Sequence, residues 1–173
     1  EKAAYWYRRS AETGFAAAQF NIGIRYEQGR GVPQDASEAA KWFLKAAEQQ
    51  YPKAEETMGY YYASGTGVTK DYQKAMFYYR KAAEHGNTRA CASIGILYDK
   101  GDGVPIDHNR AVQYYIMGAM AGHAHAQALL AVNYLVGDGV PKDKRRAAYW
   151  FEQAANNGYP AGLRCGMDFA GIG

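Results

Sequence analysis

Two apolar patterns alternate along the chain, both with helical spacing. The first runs Ala39, Ala40, Trp42, Phe43, Ala46 and Ala47, a spacing of i, i+1, i+3, i+4, i+7 and i+8 that puts all six on one helical face. It returns as Ala75, Met76, Tyr78, Tyr79, Ala82, Ala83, as Ala111, Val112, Tyr114, Tyr115, Gly118, Ala119, and as Ala147, Ala148, Trp150, Phe151, Ala154, Ala155. An incomplete first copy is Ala3, Ala4, Trp6, Tyr7, Ser10, Ala11. The second pattern reads Ala18, Ile22, Gly23, Tyr26, then Ala54, Met58, Gly59, Tyr62, then Ala90, Ile94, Gly95, Tyr98, then Ala126, Leu130, Ala131, Tyr134. The chain therefore alternates a helix A with a helix B. The small residues let backbones approach, the rings fill the space beside them, and each buried ring contributes about 2–3 kcal/mol. A last helix B, Ala161, Cys165, Gly166, Phe169, fits only with a one-residue deletion and is expected to be the least regular.

Between B and the next A lies Gly-x-Gly-Val-x-x-Asp, at Gly29–Asp35, Gly65–Asp71, Gly101–Asp107 and Gly137–Asp143, always 36 residues apart. A constant period of this length marks a tandem repeat whose units bury a core only by stacking. The expected fold is an all-α solenoid of about five units, approximately 1–30, 31–66, 67–102, 103–138 and 139–173. The chain begins inside one unit and stops as another loop starts, which reads as a fragment of a longer chain. Each loop Asp is placed to cap helix A, and Asp35 with Glu38 has the spacing of a capping box. Lys74, Arg110 and Arg146 deny that box to the later copies. Gly14, Gly86, Gly122 and Gly158 close helix A in a left-handed turn, with Gln50 as the exception, and the loop Val is an apolar plug.

Taken together, Ala-x-x-Trp/Tyr-aromatic-x-x-Ala-Ala, a Gly, aliphatic-Gly-x-x-Tyr and Gly-x-Gly-Val-x-x-Asp resemble the Sel1-like repeat, a relative of the tetratricopeptide repeats. The resemblance spans essentially the whole chain and implies a right-handed α-solenoid of antiparallel helix pairs. It also implies an adaptor or scaffold role in assembling complexes, common in bacterial signalling, secretion and host interaction.

Composition adds little that is specific. Gly (20) and Tyr (16) are abundant and the net charge is +3 with both signs interleaved, so nothing calls for nucleic acid or an anionic membrane. No apolar run of transmembrane length is present. Cys91 and Cys165 lie about two repeats apart, too far for a disulfide if stacked helices advance by roughly 10 Å each. Two free thiols weakly favour the cytoplasm, while export remains open to a disulfide-free protein.

Chemistry is sparse. The glycine loops lack the third glycine and the preceding strand of a dinucleotide site, having Gln34, Lys70, Ile106 and Lys142 instead. His123 and His125 lack a third ligand at metal spacing, His85 and His108 stand alone, and all four read as surface histidines. Neither cysteine has a catalytic partner in view. We expect no catalytic residue, no metal and no cofactor. Cysteine-rich relatives have been linked to β-lactam hydrolysis, but this chain lacks their cysteine pairs.

What remains is a surface. Opposite the core face of helix A, and along its flank, successive units present Tyr5, Lys41, Phe77, Gln113, Tyr149, then Arg8, Leu44, Arg80, Ile116, Glu152. The neighbouring pairs are Arg9 with Glu12, Lys45 with Glu48 and Lys81 with Glu84, and the fourth copy replaces both charges with Met117 and Met120. By analogy with related solenoids this face lines the concave groove. The expected partner site is an apolar patch of Ile116, Met117 and Met120, with Leu44, Phe77 and Tyr149 around it and Arg80 and Lys81 at the rim. Tyr5 and Lys41 lie on the same face. The opposing reading has the methionines packed against an adjacent helix B. The partner is a protein or peptide. An immunity or inhibitor protein occluding a secreted toxin or enzyme is the rival binding function, and a hydrolase such as a β-lactamase is the rival of another class.

Overall fold

The computed structural model describes residue 9 and residues 11–160. Tyr5, most of the incomplete first copy and the last helix B with Cys165 lie outside the described residues. The chain divides into two compact units, Glu1–Asn87 and Thr88–Gly173. Unit 1 contains α1 (Ala16–Gln28), α2 (Ala36–Glu48), α3 (Pro52–Ser64) and α4 (Tyr72–Glu84). Unit 2 contains α5 (Arg89–Lys100), α6 (His108–Met120), α7 (Ala124–Val136) and α8 (Lys144–Asn156). No strand occurs among the described residues. In both units each helix packs on the next in sequence, most extensively across the glycine loop, and in unit 2 α5 also touches α7. Helices joined by such short loops and packed side by side run antiparallel.

The helix starts follow from the loop aspartates. Asp35 accepts from the backbone amides of Ser37 and Glu38, Asp71 from Lys74, Asp107 from Arg110, and Asp143 from Arg145 and Arg146. The capping box expected at Asp35 and Glu38 is not made. The Asp35 amide donates instead to the carbonyl of Tyr26, as those of Asp71, Asp107 and Asp143 donate to Tyr62, Tyr98 and Tyr134. With the reciprocal donor committed across the loop, Glu38 pairs with Lys41 at 2.9 Å. The basic residues that replace Glu38 take another role. Arg110 and Arg146 lie 3.2 and 3.4 Å from their capping aspartates and face the rings of Tyr98 and Tyr134. Each joins the start of a helix A to the end of the preceding helix B.

Gln50 closes α2 at φ 60°, the left-handed conformation its glycine counterparts adopt. The position, and not the residue type, dictates that turn.

The core refines the two apolar faces. In α2 all six predicted residues are buried. In the later copies the second ring, Tyr79, Tyr115 or Phe151, is buried, while Tyr78, Tyr114 and Trp150 are only half-buried. Tyr78 stacks on Tyr62 and Tyr114 on Tyr98. The small residue of helix B accommodates the buried ring. A Cβ added at Gly23 would lie 2.6 Å from the Phe43 ring and one at Gly59 2.5 Å from the Tyr79 ring. Val68 packs against the unit 1 core, as a plug should.

Candidate functional site

The positions opposite the core are exposed in the way the spacing implies, to different degrees. On α6, Ile116, Met117 and Met120 are 37%, 55% and 75% exposed. Met120 lies three residues from Met117 and four from Ile116, so it neighbours both on the helix surface, and with this exposure the methionines are not packed into the interior of unit 2. Tyr149 on α8 is 53% exposed. In unit 1, Lys41 and Arg80 are exposed, Phe77 is 52% exposed, and Lys81 holds its ammonium 5.4 Å from the Phe77 ring centre. Leu44 is only half-buried and packs against the core, so less of it faces solvent than the helical wheel implies.

A second set of polar residues was not visible as a set in the sequence. Four equivalent residue pairs, one per repeat, lie at the end of helix A and the first turn of the preceding helix B, and in three of them a side-chain hydrogen bond joins the two helices. The Gln49 amide donates to the Gln19 side chain at 2.7 Å, and that of Asn157 donates to Gln127 at 3.0 Å. At the same place His85 Nδ1 lies 2.7 Å from Glu55 Oε2, a carboxylate with no exposure. The fourth pair is Ala121 and Cys91, with Cys91 a free buried thiol that burial pushes above its ordinary pKa. The signal was present as residues 30 apart that change together, but only with the repeat register aligned.

Three histidines, His85, His108 and His123, are half-buried rather than fully on the surface, whereas His125 is exposed as expected. His85 is half-buried on Glu55. His123 Nε2 lies 2.7 Å from Thr88 Oγ1. His108 Nδ1 sits 3.0 Å from Asp99 Oδ1 and 3.5 Å from Asp138 Oδ2. The bond to Asp99 raises its pKa above the ordinary value, with Asp138 and Asp107 adding to the effect against partial desolvation. The Tyr115 hydroxyl donates to the other Asp99 oxygen, and burial first, then that bond, pushes the phenol far up. His125 stacks on Tyr159, and burial lowers its pKa. Among the described residues, no group of three or more His, Cys, Asp or Glu is placed to hold a metal ion. No described helix is long and apolar enough to cross a membrane.

Unit 1 also holds a cleft of about 280 Å³ between α1 and α3, over the Phe43 ring. It lies on the helix-B side, away from the expected contacts on helix A.

The Sel1 repeat family model matches residues 1–15, 16–51, 52–87, 88–123 and 124–159. These boundaries fall between helix A and helix B, half a repeat out of phase with units cut at the loop, and one of them coincides with the division at Asn87. No curated protein sequence matches the chain. Among solved structures, a Sel1 repeat protein from Oxalobacter formigenes is 52% identical with a TM-score of 0.89, over 91% of this chain and 62% of that one. A protective antigen present in uropathogenic Escherichia coli strains is 37% identical with a TM-score of 0.85, over 90% of this chain and 33% of that one. The chain thus spans less than two thirds of the length of either. An immunity protein from Pseudomonas aeruginosa shares the fold at 21% identity and a TM-score of 0.61, over 91% of this chain and 58% of that one. Proteins built from these repeats in general mediate protein–protein interaction, and the scaffold is generally non-enzymatic. With repeat matches running end to end over residues 1–159 and half the residues shared with a solved relative, the chain belongs to the Sel1 repeat family, an α-solenoid of helix pairs.

Proposed function

We propose that this chain is a protein-binding scaffold that docks a peptide or a folded protein element on the outward face of its A helices. One observation carries the reading. Met117 and Met120 stand in solvent on α6, where the three preceding copies have Arg9 and Glu12, Lys45 and Glu48, and Lys81 and Glu84. Exposing two methionines beside Ile116 forgoes burial that each side chain would gain in an interface, and methionine adapts to varied partner surfaces. Tyr149 is the aromatic contact on α8. In unit 1 the equivalent helix-A positions offer Phe77 as an anchor, Leu44 as a partly covered contact, and Lys41, Arg80 and Lys81 as charges suited to a polar rim. Tyr5 belongs to the same series by position.

The test captures partners from the source organism on the wild-type chain and on Met117→Lys/Met120→Glu. Loss of a defined partner with an unchanged melting curve supports the docking face. Undiminished capture of every partner removes it. The immunity reading rests on a likeness of fold alone and assigns a role to no residue of this chain. A hydrolase is tested by turnover of ester and β-lactam substrates above the buffer rate, and the scaffold reading expects none.

A further inference from the structure

The cleft between α1 and α3 has a composition that the repeat does not require. Phe43 lies at its base, Phe20 and Ile24 of α1 and Tyr60 of α3 supply apolar wall, and Glu27 and Glu56 bring one carboxylate from each helix. The Tyr61 hydroxyl donates to Glu27 Oε1 at 2.8 Å, and the Asn87 amide donates to Glu56 Oε2 at 2.9 Å. These bonds hold both carboxylates in place. In unit 2 the positions of Phe20, Tyr60 and Glu56 are taken by Ala92, Val132 and Ala128. A repeat core can thus be built without this combination of rings and acids.

The volume of about 280 Å³ falls just below the range of roughly 300–1,000 Å³ typical of small-molecule sites, and suits a side chain offered by another protein. Carboxylates contributed by two helices to an apolar cleft favour a cation with an apolar stem. Arginine matches better than lysine, because its planar guanidinium stacks on a ring while donating to carboxylates in a fork. Tyr60, 57% exposed, presents such a ring. We propose that this cleft receives an arginine side chain from an exposed segment of a partner protein, with the guanidinium drawn to Glu27 and Glu56 and its flat face against Tyr60. The site lies on the B helices and is independent of the docking face on helix A.

The probe is the peptide acetyl-Leu-Arg-Leu-amide, titrated into the isotopically labelled full chain at low ionic strength and followed by amide chemical shifts. Its citrulline counterpart keeps the shape and loses the charge. The expected result is a saturable shift centred on Thr57 and Tyr60, with binding at least about tenfold weaker for the citrulline peptide and for Glu27→Gln/Glu56→Gln. In that variant the side-chain amide oxygen introduced by Glu27→Gln still accepts from Tyr61, which preserves the fold. Tyr60→Ala, at an exposed position, should also weaken binding without moving the melting curve. Met117→Lys/Met120→Glu should leave binding unchanged, which separates this site from the helix-A face. Citrulline binding within tenfold of arginine, retention within tenfold by the double glutamine variant, no effect of Tyr60→Ala, or shifts centred elsewhere would each overturn the proposal.

Discussion

His85 Nδ1 lies 2.7 Å from Oε2 and 2.9 Å from Oε1 of Glu55, and that carboxylate has no solvent exposure. A fully buried carboxylate is costly unless hydrogen-bonded and paired, so the histidine at the end of α4 is what permits a glutamate in the first turn of α3. The preceding repeat solves the same contact with two neutral amides, Gln19 and Gln49.

Removing one partner should therefore cost more than replacing both. His85→Ala is expected to destabilise unit 1 by about 2 kcal/mol or more. Glu55→Gln/His85→Gln, which installs the neutral pair, should return to within about 1 kcal/mol of wild type. Urea unfolding midpoints with matched slopes provide the check. Equal losses in the single and double variants would show that the pair is not the source of the effect.

Gly95 is held small by a ring. A Cβ there would overlap the Tyr115 ring and approach the Ala111 carbonyl oxygen at 3.0 Å. Gly95→Ala should destabilise unit 2 by about 1–3 kcal/mol despite alanine's better helix propensity. The equivalent residue in the next copy is Ala131, fully buried, and Ala131→Gly should cost about 1 kcal/mol through propensity. The two substitutions run in opposite directions, so a loss for Gly95→Ala, against propensity, identifies packing as its cause. An unchanged unfolding midpoint for Gly95→Ala would contradict the close approach.

Two histidines in unit 2 titrate in opposite senses. His108 faces Asp99 on α5 and Asp138 in the loop before α8, with its own cap Asp107 beside it. Its folded pKa is raised above 6.5, so its stabilisation is complete below that value and fades as pH rises through the folded pKa. His125 is lowered by burial, so its contribution is intact above 6.5 and fades as pH falls through its lower folded pKa. Unfolding midpoints measured across this range should show the difference between wild type and His108→Gln shrinking as pH rises. For His125→Gln the penalty of the wild type should grow as pH falls. A pH-independent gap for His108→Gln would remove its carboxylate partners as the cause.

Much of the architecture was legible because its causes are local. A loop aspartate caps the amides two or three residues ahead, and a left-handed turn closes helix A whether Gly86 or Gln50 occupies it. The sequence left Met117 and Met120 open between an exposed patch and packing against an adjacent helix B, and only the structure shows both exposed. Less legible was Leu44, which the wheel places outward and the unit 1 core partly covers. The misreading of His85 has the same origin: its partner is 30 residues away on another helix.

The sequence by itself determined the helices, their period, their caps and the identity of the buried stripe, because each rests on contacts within a few residues repeated in register. The tertiary structure decided which ring of each pair is buried and which polar residues meet at the helix ends. It also decided where a cleft remains between α1 and α3. Those outcomes depend on lateral packing between helices, where a ring, a carboxylate and a glycine compete for the same volume. No single helix encodes the result of that competition.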